Sequence, residues 1–481
     1  MMEFIERDIT ERLLEWKNSA DRKPLIIRGA RQIGKSWAVE HFGKRYYDNL
    51  AVFNFDRKRE LADVFRRTKD PKRIIDELTF FTDKPLLPEK TLIFFDEIQE
   101  CKDALNALKY FCEDAPEYHI IAAGSLLGVA IDEGNYSFPV GKVNFLQMYP
   151  VSFREFVRAA DSSLYGHIAG LAGKTDPFPS VVFNRAEELY HSYQVCGGLP
   201  LSASSMIWNK GLEMVEKVLE ENLMAYEIDF SKHTLQSDIP KIRAIWKSTP
   251  EQLSRENNKF VYRVVREGAR AREYENALQW LAAAGMIYQV KLCEKPELPL
   301  SFYENSSAFK VYMLDIGLLR KLAKLPAEIF ISAATLFTEF KGAIAENFVL
   351  TSLLAQGFDT PNYWTLQGNK AEVDFLVADK LSVIPIEVKS DRCISGKSFA
   401  EYDKKYHPDL RVRFSMNNIK KNSTLHSQHF KNFLLFLQPV SKEYSNEKDC
   451  AHDCSDFCLP CGYVTENELH RSWESARRTL L

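Results

Sequence analysis

Long hydrophobic runs are missing from this sequence: no stretch of its 481 residues approaches the roughly 18 or more apolar residues that a membrane-crossing helix needs. A strong charge of either sign is missing too, with 63 lysines and arginines against 66 acidic residues and a formal net charge of -3. That excludes a global electrostatic field, so any contact with nucleic acid has to come from a local patch. The opening MMEFIERDITERLLEW lacks the basic-then-apolar order of a signal peptide, and a cytoplasmic protein without a membrane partner is expected. Repeats and low-complexity tracts do not stand out. Cysteine is sparse over most of the chain: Cys101, Cys112, Cys196, Cys293 and Cys393 are scattered, as reduced structural thiols are.

What remains is an ordinary globular composition, 45% hydrophobic and 27% charged, over a length that calls for about two to four domains. From Pro24 short apolar runs alternate with helical patterns: PLIIRG, a helix from Lys35, LAVFNFD, a helix over 61–78, then TLIFFDE and YHIIAAGS. Continuous apolar runs of this kind mark strands buried on both faces, which predicts an α/β, doubly wound parallel sheet over 1–150. Residues 151–250 read as a helical lid region broken by the turn Gly197-Gly198-Leu199-Pro200. A helix followed by two strands predicts a winged-helix-like region over 251–330. Residues 331–440 run in the order αβββαβ, and 441–481 form a Cys-rich tail.

The octet GARQIGKS fits G-x-x-x-x-G-K-[ST] at every fixed position, with a strand before it and a helix after it. Gly29 and Gly34 let the backbone curl so that its N–H groups face phosphate oxygens, and the helix N-terminus adds partial positive charge. Lys35 supplies a cation to the β and γ phosphates, and Ser36 a hydroxyl to Mg²⁺. Ala30, Arg31, Gln32 and Ile33 complete the cradle, with Trp37 directly after it. About sixty residues on, Asp96 ends the apolar strand of TLIFFDE, where its carboxylate is placed to hold the metal's water shell. Glu97 beside it is the candidate general base for an attacking water. Ser125, ending YHIIAAGS, is a candidate γ-phosphate sensor. These residues predict Mg-ATP binding and hydrolysis.

A second constellation lies in AEVDFLVADKLSVIPIEVKS. Strand alternation puts Glu387 and Lys389 on one face, with Asp374 on the strand before. Two carboxylates on adjacent strands can hold a second divalent metal, and a lysine beside them can steady a developing negative charge. Glu346, in the preceding helix, is spaced to add another carboxylate. The pattern and its element order resemble the D…E-x-K site of the restriction-endonuclease-like fold. Two further features bear on ligands. Lys259, Arg263, Arg266 and Arg270 recur at helical spacing, a stripe that would suit a DNA backbone, although Glu256, Glu267, Glu273 and Glu275 dilute it. In the tail, Cys450, Cys454, Cys458 and Cys461 fall within twelve residues, as zinc ligands can.

Taken together, RGARQIGKS, TLIFFDEIQE, AAGSLLG, MYPVSFREF, CGGLP, PEQLSRENNKFVY, VYMLDIGLL, AEVDFLV and IPIEVKS resemble a family of bacterial and archaeal AAA-type P-loop ATPases. In that family a RecA/AAA-like ATPase domain precedes a C-terminal region of unknown function with a nuclease-like core. The resemblance implies Gly29, Gly34, Lys35 and Ser36 as nucleotide ligands, Asp96 and Glu97 as the second motif, and Ser125 as the sensor. It also implies a homo-oligomer, because such sites usually borrow an arginine from a neighbour. Here Lys142 stands in VGKV where an arginine is common, with Arg154 as the substitute candidate. Three activities follow as alternatives: an ATPase acting on a nucleic-acid or protein partner, an ATP-dependent nuclease using Asp374, Glu387 and Lys389, or a nucleotide-switched scaffold.

Overall fold

The computed structural model describes residues 4–124, 127, 139–170, 177–231, 234–255, 259–331, 338–366, 368, 371–390 and 397–418. Ser125, Glu256, Cys393 and the tail with its four clustered cysteines lie outside the described residues.

Strands β1 (Leu25–Arg28), β2 (Asn49–Asn54), β3 (Thr91–Asp96), β4 (His119–Ala123) and β5 (Asn144–Gln147) form one sheet in the order β2-β3-β4-β1-β5, parallel throughout. The apolar runs of β1, β3 and β4 are explained by burial on both faces. Along β3, Leu92 and Phe94 enter one core with Ala38, Val39 and Phe42 of the helix Lys35–Tyr46. Ile93 and Phe95 enter another core, with Leu105, Leu108 and Phe111 of the helix Lys102–Asp114. The period of two along the strand thus serves two helical layers. Because the strands are parallel, their C-terminal ends share an edge, and Asn54 stands in register with Asp96 there.

Helices dominate from Phe153 to Leu253, opening with a capping box in which Ser152 and Glu155 satisfy each other's backbone. The Gly197-Gly198 turn is gripped from a distance. Gly198 N donates to Asp315 Oδ2 at 2.5 Å, and Leu318 N donates to Asp315 Oδ1 at 2.9 Å. A Cβ on Gly197, whose φ is 66°, would lie 2.3 Å from the same carboxylate.

The second sheet joins β6 (Ile287–Cys293), β7 (Glu304–Met313), β8 (Asn362–Thr365), β9 (Glu372–Asp379), β10 (Ser382–Val388) and β11 (Val412–Phe414) in the order β11-β10-β9-β8-β6-β7. The helices Thr338–Ala355 and Lys397–Tyr406 belong to the same segment as β8 to β11. The hairpin expected to be a free wing is the edge of this sheet, with β6 parallel to β8 at Leu292 and Tyr363. The physical reason is burial: Val311, Tyr312 and Met313 of β7 are covered on both faces, which an exposed wing would not allow.

The basic stripe is also corrected. Only Tyr262–Val265 is helical there, Arg266 and Arg270 are extended, and Gly268 takes φ 78° between them. Lys259, Arg263, Arg266 and Arg270 therefore share no helix face. Among the described residues no helix is long and apolar enough to cross a membrane.

Candidate functional sites

At the C-terminal edge of the parallel sheet the chain leaves β1 through Gly29. Its φ is 146°, and a Cβ there would fall 2.4 Å from the Met148 carbonyl oxygen, so only glycine fits. Ala30 and Ile33 are buried and anchor the loop from below. Gly34, at φ 91°, delivers the chain into the helix that begins at Lys35. The octet is thereby a loop wrapped over a helix N-terminus, the arrangement that receives phosphate.

Lys35 is 7% exposed. Its ammonium donates to the carbonyl oxygens of Gly29 at 2.9 Å and Ala30 at 2.7 Å. Burial lowers its pKa from 10.5 to about 8, against the pull of Glu97 and Asp96. The Ser36 hydroxyl donates to Asp96 Oδ1 at 2.9 Å, and Asn54 Nδ2 donates to Asp96 Oδ2 at 2.8 Å. Both carboxylate oxygens are thus oriented, while burial raises the Asp96 pKa. Glu97 follows in the left-handed region at φ 51°, and Gln99 Nε2 donates to its Oε2 at 2.6 Å. Serine hydroxyl and aspartate are the oxygen donors a hard divalent cation takes, and these two fit Mg²⁺. When bound there with nucleotide, Mg²⁺ would neutralise charge developing on the phosphates. Trp37 is 43% exposed, with its ring stacked on His41 at 4.8 Å and tilted against Phe4 at 5.8 Å.

Several residues that frame this loop carried no sequence signal. Arg7, 22 residues before Gly29 in the chain, donates from Nη1 to the Ile33 carbonyl at 2.9 Å and from Nη2 to the Tyr149 carbonyl at 2.7 Å. Its Nε pairs with Glu155 at 3.1 Å. From the other side, the Tyr226 hydroxyl donates to the Arg31 carbonyl at 2.7 Å, and Arg31 pairs with the buried Asp229. The helix Leu212–Asp229 therefore grips the phosphate loop directly. Asn54 alone had a legible cue, a polar residue ending the apolar run LAVFN. Neither finger candidate projects freely. Lys142 pairs with Glu113 at 2.9 Å, and Arg154 is 12% exposed and faces Asp8 at 3.5 Å. Beside Arg7 a cavity of about 320 Å³ opens between Tyr149, Arg154, Arg12 and Phe358.

In the second sheet the pairing of Ile386 with Phe375, carried one residue further, sets Glu387 opposite Asp374. Asp374 Oδ2 accepts from the Val388 N–H at 2.7 Å, and burial, with Glu346 nearby, raises its carboxyl to about 8. Lys389 joins them, 3.2 Å from Glu387 Oε1. The structure so brings Glu346, Asp374, Glu387 and Lys389 into one neighbourhood. It does not make them a metal centre: among the described residues no group of three or more His, Cys, Asp or Glu is placed to hold a metal ion. The expected second divalent metal therefore finds no support among the described residues. Glu387 Oε2 is taken by Arg413 Nε at 2.6 Å, and both groups are almost wholly buried. Glu346 Oε2 accepts from the Tyr312 hydroxyl at 2.8 Å and lies 3.6 Å from the Lys310 ammonium.

Three family models match separate parts of the chain: AAA domain over residues 21–157, Domain of unknown function (DUF8612) over 187–329, and Domain of unknown function (DUF4143) over 341–433. No curated protein matches. Among solved structures, a Walker-type ATPase of Pyrococcus abyssi is 15% identical, with a TM-score of 0.42 and coverage of 66% of this chain and 96% of that one. The ORC2 protein of Aeropyrum pernix, in ADPNP–ADP complexes, is 14% identical at a TM-score of 0.28, covering 69% and 90%. The RuvB Holliday junction branch migration motor of Thermotoga maritima is 12% identical at 0.24, covering 62% and 91%. The matched family domain and the loop geometry within it together support an AAA-type ATPase domain over residues 21–157.

Proposed function

We propose that this protein binds and hydrolyses Mg-ATP at the edge of its parallel sheet and uses the cycle to act on a nucleic-acid or protein partner. The observation that carries the reading is the contact of Ser36 with Asp96, with Asn54 fixing the other oxygen of the same carboxylate. A hydroxyl from the phosphate loop and a carboxylate from the neighbouring strand end converge where a nucleotide's metal would be held. Lys35 meets the phosphates, and Glu97, next to Asp96, accepts a proton from the attacking water. The grip of Tyr226 and Asp229 on Arg31 supports a helical region that follows the state of the loop. The C-terminal segment, with its element order of helix, three strands, helix and strand, is the partner-recognition module of this reading.

The test is the rate of phosphate release from ATP by the full chain, with Mg²⁺ and with single-stranded DNA, double-stranded DNA or neither. Mg²⁺-dependent turnover is expected, and stimulation by DNA identifies nucleic acid as the partner class. Turnover that no DNA moves points to a protein partner. Nucleotide binding without any turnover would instead make the chain a nucleotide-switched scaffold.

A further inference from the structure

We infer that Lys310 is the resident cation of the C-terminal carboxylate cluster, and that this cluster takes no divalent metal. Lys310 reaches in from β7, a strand outside the segment that carries Asp374, Glu387 and Lys389. Its side chain is 0% exposed. The ammonium lies 2.5 Å from Glu372 Oε1 and 3.6 Å from Glu346 Oε2, with the Tyr363 ring centroid at 5.2 Å.

A magnesium ion demands about six oxygens in near-ideal geometry at roughly 2.0–2.1 Å. Here the carboxylates that would supply them already face internal cations and donors. Lys310 holds Glu372 and Glu346, Arg413 and Lys389 hold the two oxygens of Glu387, and the Val388 N–H holds one oxygen of Asp374. Four carboxylates are matched by three buried or half-buried cations, so most of the attraction a divalent ion would feel is cancelled. Its own repulsion from Lys310 comes on top. Lys310 does not yield its place, because an ammonium left in the interior without its carboxylate partners is strongly destabilising.

The cluster then works as a joint. Lys310 and Tyr312 on β7 reach Glu346 of the helix Thr338–Ala355, and Asn347 of that helix exchanges two hydrogen bonds with the Met313 backbone, at 2.7 and 2.9 Å. Two residues beyond Met313, Asp315 holds the Gly197-Gly198 turn of the helical region. The C-terminal segment is thus fastened to β7 through Glu346, one of the carboxylates of the nuclease-like cluster, and through Asn347 beside it.

The test is Mn²⁺ uptake by the full chain without nucleotide, read from the paramagnetic resonance of free Mn²⁺. An Asp96→Asn background removes the carboxylate of the P-loop metal site. This parent is expected to show no saturable uptake up to millimolar Mn²⁺. Lys310→Gln, which removes the charge and keeps a polar chain, should gain a site, and adding Asp374→Asn should abolish it. Saturable uptake by the parent that Asp374→Asn removes overturns the inference, as does Mn²⁺-dependent DNA cleavage lost in the same variant. A folded Lys310→Gln that gains no site overturns it as well. Should Lys310→Gln be unfolded without metal, Mn²⁺ is expected to restore its melting transition, because ligand bound to the native state alone stabilises it. Failure of Mn²⁺ to restore it counts against the inference.

Discussion

Nucleotide binding should draw a proton onto the protein at mildly alkaline pH. Lys35 is buried beneath the loop, and burial lowers its pKa from 10.5 to about 8. The unfolded chain keeps this proton up to the ordinary lysine range, so between about 8 and 10.5 it binds more protons than the folded one. The burden of burying the charge is therefore full below about pH 8 and is relieved as pH rises through the window. The shift amounts to about 3 kcal/mol against the charged form. A triphosphate beside the ammonium reverses it, because opposite charge favours protonation. At about pH 8 half of the Lys35 population is neutral, so Mg-ATP should take up about half a proton per site, and almost none at about pH 6.5. Calorimetric titration in two buffers of different ionisation enthalpy measures the uptake directly. Equal binding enthalpies in both buffers at pH 8 would refute the reasoning. So would an uptake that persists in Lys35→Arg, whose guanidinium does not titrate there.

Three further outcomes follow from the same geometry. Lys35→Ala should leave the melting temperature near that of the parent and abolish ATP binding, since the ammonium that meets the β and γ phosphates is lost; unchanged affinity in a calorimetric titration contradicts this. Asn54→Ala frees one oxygen of Asp96 and should raise the Mg²⁺ concentration for half-maximal turnover roughly tenfold, about the worth of one hydrogen bond to a charged group. Asp315 has its carboxyl raised from 3.8 to about 6 by burial, so the folded state holds its proton more tightly and this group makes stability fall as pH rises from about 4 to 6. Asp315→Ala should flatten that decline while lowering stability at acid pH by about 1–3 kcal/mol through the orphaned Gly198 N–H, both read from thermal melts.

How much of this was legible in the sequence depended on whether the signal was local. The strands β1, β3 and β4 announced themselves because two-sided burial leaves a continuous apolar run, as in TLIFF. The phosphate loop was legible because its glycines serve backbone geometry, seen in the closeness of Met148 to Gly29. Asp374, Glu387 and Lys389 were correctly placed near one another by strand alternation alone. What could not be read was the partner set at long range. Lys310, Arg413 and Glu372 decide what the carboxylate cluster can hold, and only the sheet order β11-β10-β9-β8-β6-β7 brings them there. Arg7 and Tyr226 reach the loop from about 26 and 195 residues away, with no periodicity to mark them. The basic residues from Lys259 to Arg270 misled because helical spacing was assumed across Gly268, whose φ of 78° ends any helix.

The most direct measurement of the central claim is single-turnover phosphate release by Glu97→Gln, with nucleotide affinity determined on the same preparation. The substitution leaves Ser36, Asn54 and Asp96 in contact and removes only the proton acceptor next to them. Parental affinity for Mg-ATP is expected, with release slowed by roughly 10²–10⁴-fold, the usual contribution of a general base. Parental turnover in this variant would contradict the assignment of Glu97 and of the strand end as the hydrolytic site.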